Sequence, residues 1–157
     1  MKLVSNKYII ILFCFYIALV LKFSFIGVGV SFPERLLGKY DDVSHNLIPF
    51  ETIGTYLTNF HHYNFNTWFY NTFGNVLLFM PLGILLPLIF TKIEGIKQLI
   101  LASFIGILTI EIVQYFTLLG VFDIDDIILN LFGVVIGFCI LSQYIKFRKR
   151  IIIHKFR

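Results

Sequence analysis

Between Glu111 and Asn130 the sequence reads EIVQYFTLLGVFDIDDIILN, with Glu111, Gln114, Asp123, Asp125, Asp126 and Asn130 set between two long apolar runs. Carboxyl and carboxamide groups at this density can hold a hydrogen-bonding ligand. They can also divide acid and base roles, if one carboxyl stays protonated while another is ionised. An ionisable side chain at membrane depth costs several kcal/mol, so it is rarely kept without a role and usually faces a bundle interior or a wet cavity. On a helix beginning near Phe122, a turn of about 100° per residue puts Asp123, Asp126 and Asn130 on one face, with Gly137 further along it. Asp125 points elsewhere and is expected in solvent or capping the helix start, where the dipole favours acids by some tenths to about 1 kcal/mol. That effect accounts for one or two aspartates. It does not account for Asn130, roughly 10 Å further in at a rise of about 1.5 Å per residue. Glu111 and Gln114 share a helix face, and Glu111 lies about 12 Å below the end of its run at Leu119. Asn71 and Asn75 also share a face, with Gly74 beside them for close helix approach. A structural reading of Glu111 is a helix-holding hydrogen bond to Asn130 or Asn75.

The elements that position these groups follow from composition. Of 157 residues 58% are hydrophobic and 14% charged, too little charge to cover a soluble domain, so the chain is an integral membrane protein. Four stretches reach the roughly 20 apolar residues that a span needs: 8–30, 71–90, 97–119 and 124–145. The expected fold is all-α, a polytopic bundle of four transmembrane helices in a single domain over 1–145, followed by a basic tail, 146–157. The first run has no small-x-small cleavage site and is too long for a signal peptide, so it is read as a retained span. Pro81 and Pro87 are expected to kink the second helix or free backbone carbonyls. Lys2 and Lys7, Lys92 and Lys97, and the basic tail fall on one side of the four spans. The positive-inside rule places that side, with both termini, in the cytoplasm beneath the cell membrane. Loop asymmetry of this kind explains the net charge of +4. The tail is a charge anchor against anionic headgroups, and no nucleic-acid role is indicated.

On the other side lies a loop rich in Phe, Tyr, His and Asn. Ile53, Tyr56, Leu57 and Phe60 recur there at the spacing of a one-sided apolar helix, expected to lie on the outer leaflet with Trp68 and Tyr70 at the interface. The same topology brings Asn46, Asn71, Asn75, Glu111, Gln114, Asp123, Asp126 and Asn130 to the outer half, as a polar cup opening outward. His45, His61 and His62 sit in this loop without HxxxH or HExxH spacing, so no metal site is expected. Cys14 and Cys139 fall in apolar runs and are expected to be buried thiols.

Four motifs in order, NLIPF, NVLLFMPLGILL, EIVQYF and FDIDDIILNLFGVVIGF, resemble the signature set of VanZ-family membrane proteins over roughly 46–138. The resemblance carries onto Asn46, Pro49 and Phe50; Asn75, Phe79, Pro81 and Gly83; Glu111 and Gln114; and Asp123, Asp126, Asn130 and Gly133. The turn LLGVFD departs from relatives that carry an Arg there, and the fifth apolar segment of some relatives is reduced here to Ile151–Ile153. The resemblance implies resistance to glycopeptide antibiotics, chiefly teicoplanin and other lipid-tailed members, in Gram-positive bacteria. The expected ligand-binding residues are Asn46, Asn75, Glu111, Gln114, Asp123, Asp126 and Asn130. Their expected partner is a membrane lipid, a lipid-linked wall precursor or the lipoglycopeptide itself, with no cofactor. An intramembrane enzyme using Glu111, Asp123 and Asp126 on a lipid or peptidoglycan precursor is the alternative; without a nucleophile motif, binding is the favoured expectation.

Overall fold

In lipid a chain can satisfy its backbone N–H and C=O groups only internally, so each long apolar run is expected to close into a helix. The computed structural model describes residues 7–26, 45–59, 61 and 65–155. In chain order they form α1 (Lys7–Phe25), β1 (His45–Asn46), α2 (Glu51–Thr58) and α3 (Phe65–Phe69). A π-helical turn (Tyr70–Gly74) leads into α4 (Asn75–Ile89), followed by α5 (Ile96–Thr117), β2 (Phe122–Asp123) and α6 (Ile124–Lys155). Among the described residues, four helical stretches are long and apolar enough to cross a membrane: Lys7–Phe25, Tyr70–Ile89, Ile96–Thr117 and Ile124–Ile151. The all-α, four-span architecture read from the sequence is the architecture observed. Positions 27–30 of the first expected span lie outside the described residues, and α6 runs on as one helix to Lys155.

The bundle is organised by the α4–α6 contact. Gly83, Gly133 and Gly137 bring the two backbones together so closely that a Cβ on any of them would run into the carbonyl oxygen of Val134, Val76 or Met80 respectively. Small residues at such a crossing are the usual means of helix association where the solvent is itself apolar. Around this seam Phe79, Leu82, Leu85, Leu99, Ile107, Ile127 and Val134 make the core. α1 docks on it through Tyr16, 7% exposed, whose hydroxyl donates to the Leu78 carbonyl oxygen at 2.8 Å. At the far end the rings of Phe13 and Phe90 meet edge to face, 6.4 Å between centroids. α4 continues as a helix through both Pro81 and Pro87.

One sequence expectation is corrected here. Cys14 and Cys139 are exposed, on outward faces of α1 and α6. Lipid is as apolar as a core, so a hydrophobic position in a span does not reveal whether it faces protein or bilayer. The all-α fold also carries a short parallel ladder, in which His45 pairs with Phe122 and Asn46 with Asp123. This ladder fastens the loop after α1 to the α5–α6 turn.

We expect Gly137→Ala to lower the melting temperature of the detergent-solubilised protein sharply, since the methyl group meets backbone and not a movable side chain. Overpacking typically costs about 1–3 kcal/mol, and a backbone clash belongs at the upper end. Gly106→Ala is the control: nothing lies within 4 Å of its Cβ position, and removing a mid-helix glycine should leave stability equal or up to about 1 kcal/mol higher.

Candidate functional site: a polar cup between the helix ends

The helices alternate in direction, so the end of α1, the start of α4, the end of α5 and the start of α6 meet at one end of the bundle. There they enclose a cavity of about 850 Å³. Its lining includes Asn75, Glu111, Gln114, Asp123, Asp126 and Asn130, together with Asn71. Six of the seven residues expected at the site therefore share one cavity. The seventh, Asn46, stands behind Asp123, where its Nδ2 donates to Thr52 Oγ1 at 2.7 Å and to Asp123 Oδ1 at 3.3 Å.

Each polar group is placed by a specific local feature. α5 ends where Leu118 turns into the left-handed region at φ 57, which reverses the chain toward β2. Gly120 in that turn leaves room for the Gln114 side chain; a Cβ there would come within 3.0 Å of Nε2. Gln114 Nε2 donates to the Ser24 carbonyl oxygen at 2.7 Å, tying α5 to the end of α1. Glu111, 3% exposed, accepts from the Asp123 backbone N–H at 3.4 Å. Asn75 Nδ2 donates to Asp126 Oδ1 at 2.6 Å, bridging α4 and α6 just beyond their glycine seam. The expected bond from Glu111 to Asn75 or Asn130 is thus replaced. The seam presents Asp126 to α4, and Glu111 is left facing the β2 backbone.

Asp123 and Asp125 hold the loop. Asp123 Oδ2 accepts from Thr52 Oγ1 at 2.7 Å, and its Oδ1 accepts from the Asp125 N–H at 2.8 Å. Asp125 is neither solvated nor capping its own helix, as the sequence suggested: it is fully buried and accepts the Phe50 and Ile53 N–H groups at 2.6 and 3.0 Å. Those are donors from the first turn of α2, so Asp125 caps a helix distant in sequence. Phe50 takes φ 68 to aim its N–H that way, and Asn46 Oδ1 accepts the Ile48 N–H at 3.0 Å to start the turn. The expected amphipathic helix is present as α2, with Ile53 and Tyr56 partly covered and Leu57 exposed; Phe60 and His62 lie outside the described residues. Trp68 Nε1 donates to the Tyr56 carbonyl oxygen at 3.1 Å, tying α3 to α2 beside the cavity that Phe69 and Tyr56 line.

The walls are apolar and aromatic, from Phe23, Tyr56, Phe69, Tyr70, Leu77 and Leu78. Phe23, Thr52 and Phe69 are contributors that sequence spacing did not single out; Tyr56 and Tyr70, read there only as surface-helix and interface residues, also line the cavity. Among the described residues no Lys, Arg or His lines the cavity, and no three His, Cys, Asp or Glu side chains form a metal-holding group. His45 instead packs its ring edge-on to Tyr115, 6.5 Å between centroids. An amphiphilic cavity with acceptor-rich carboxyl groups is what the arrangement offers chemically.

We expect Asp125→Ala to release α2 without unfolding the spans. Losing a helix cap costs about 0.5–2 kcal/mol, so amide exchange at Ile53 and Gly54 should speed up by roughly 2- to 30-fold while amides in the α4–α6 core stay protected.

A sequence profile described as VanZ/LLP1 matches residues 9–147. Comparison with curated proteins and with solved structures returned no match. The profile takes in most or all of each of the four described helices long enough to span a membrane and every residue of the cup, and this four-span membrane protein belongs to the VanZ/LLP1 family.

Proposed function

We propose that this protein protects a Gram-positive cell against glycopeptide antibiotics that carry a lipid tail, such as teicoplanin. It does so by binding the drug's tail or a lipid-linked wall precursor at the outer leaflet. The link to glycopeptide resistance comes with the family. The observation that carries the finer reading is the cavity itself, about 850 Å³, with apolar and aromatic walls beside a carboxyl- and carboxamide-bearing floor. Such a site takes an acyl chain along the wall and a polar headgroup on the floor. The opposite end of the bundle carries Lys7, Lys92, Lys97 and the basic stretch from Lys146 to Arg150, which favours placing that end in the cytoplasm and the cup outside. A lipid tail holds a drug near its membrane-bound target, an avidity gain that can exceed about 10²-fold. A protein that sequesters the tail or the precursor removes this gain. Vancomycin, without a tail, has no such gain to lose.

A second reading is kept because Glu111, Asp123 and Asp126 face one cavity, as an acid–base set acting on a lipid headgroup would. Binding is favoured because Asp123 and Asp126 already accept hydrogen bonds of 2.7 and 2.6 Å from their own chain, which commits both to holding the cup together.

The test is susceptibility of a sensitive Gram-positive host to teicoplanin and vancomycin side by side. Expression should raise the inhibitory concentration of teicoplanin selectively, and Phe69→Ala or Asp126→Asn at equal membrane abundance should remove the rise. Glu111→Gln keeps an acceptor and should keep most of the protection. Loss of acid–base catalysis would cost about 10²–10⁴ in rate, so abolition by Glu111→Gln alone would favour the enzyme. No selective rise from well-inserted protein would overturn the resistance role.

A further inference from the structure

Among the described residues, one side chain of the cup has a buried polar atom without a partner. Asn130 lines the cavity, is 4% exposed, and its carboxamide oxygen has no hydrogen-bond partner among the described residues. A buried acceptor without a donor is costly, and native proteins rarely keep one unless a bound group completes it. Two neighbouring amide donors are engaged elsewhere. Asn75 donates to Asp126 and Gln114 to the Ser24 carbonyl, at 2.6 and 2.7 Å. The carboxyl groups of Glu111, Asp123 and Asp126 face the same space, beside Tyr56, Tyr70 and Asn71, and no cationic side chain joins them among the described residues. A group that completes Asn130 has to supply an N–H or O–H, and a negative charge beside it would face three carboxyl groups without a cation.

We propose that the cup binds an amphiphile whose headgroup presents hydrogen-bond donors and no net negative charge, a sugar or an amine, with Asn130 setting headgroup specificity. This rests on the reading of the cavity as an amphiphile site and narrows it, away from a pyrophosphate-linked precursor and toward an uncharged or cationic lipid-tailed headgroup. Of the lipid-borne groups at a membrane surface, hydroxyl- or ammonium-bearing ones fit the floor. A phosphate or pyrophosphate would bring charge of the wrong sign and acceptors where donors are missing.

Trp68 provides the readout. It is the chain's single tryptophan, it is hydrogen-bonded to Tyr56, and its neighbours Phe69 and Tyr70 line the cavity. The full chain in phosphatidylcholine nanodiscs is titrated with dodecyl glucoside and with dodecyl phosphate, which share a tail and differ in headgroup. Saturable change in Trp68 fluorescence should occur with the glucoside at a concentration about tenfold or more below that for the phosphate. Asn130→Ala should narrow that gap by about tenfold, the cost of one hydrogen bond to a buried acceptor. Equal saturable binding of both probes, or tighter binding of the phosphate, would overturn the headgroup assignment and leave the amphiphile site standing. No saturable response to either probe would remove the amphiphile site itself. If Asn130→Ala fails to fold, the two-probe comparison on the unaltered chain decides alone.

Discussion

The close contact of α4 and α6 is the constraint on which the rest depends. Three glycines, Gly83, Gly133 and Gly137, lie against carbonyl oxygens of the partner helix, and no side chain larger than hydrogen fits at any of them. Fixing the two backbones this tightly fixes everything one turn further along. Val76 is the contact of Gly133, and its neighbour Asn75 is thereby brought within 2.6 Å of Asp126. Asn130 lies one turn before Gly133 on the same helix, so the seam also turns it into the bundle. α1 and α5 are guests on this pair, held by Tyr16 and by the core residues Leu99 and Ile107.

A second constraint acts on top of the first. Polar groups at this depth have no bulk water to fall back on, so their partners must come from the protein, ordered water or a ligand. The chain meets most of the demand with long-range pairs. Gln114 reaches the end of α1, Asp123 takes Thr52 and Asn46, and Asp125 takes two N–H groups of α2. These bonds build the cup and at the same time dock α2, which contributes Thr52 and Tyr56 to its lining. The acidic motif is therefore divided in labour: Asp125 faces away from the cavity and holds α2, while Asp123 and Asp126 face it. One consequence is that the cup's shape and its chemistry cannot be altered independently, because Asp123 and Asp126 serve both.

Much of this was legible in the residues. Run length and apolar composition determined four helices, because in lipid no other local structure satisfies the backbone. Alternating direction then determined that Asn75, Glu111, Gln114, Asp123, Asp126 and Asn130 share one end. Helical periodicity separated Asp125 from Asp123 and Asp126. Tertiary structure alone decided the partners. Asn75 bonds Asp126 and not Glu111 because a glycine seam sets which faces meet, and a distance of a few tenths of an ångström is not written in any spacing. Asp125 caps α2 because a ladder between residues far apart in sequence carries the loop to it, and such pairings leave no periodic trace. The outward placement of Cys14 and Cys139 was likewise hidden, since a bilayer accepts the same side chains as a core and only packing tells them apart.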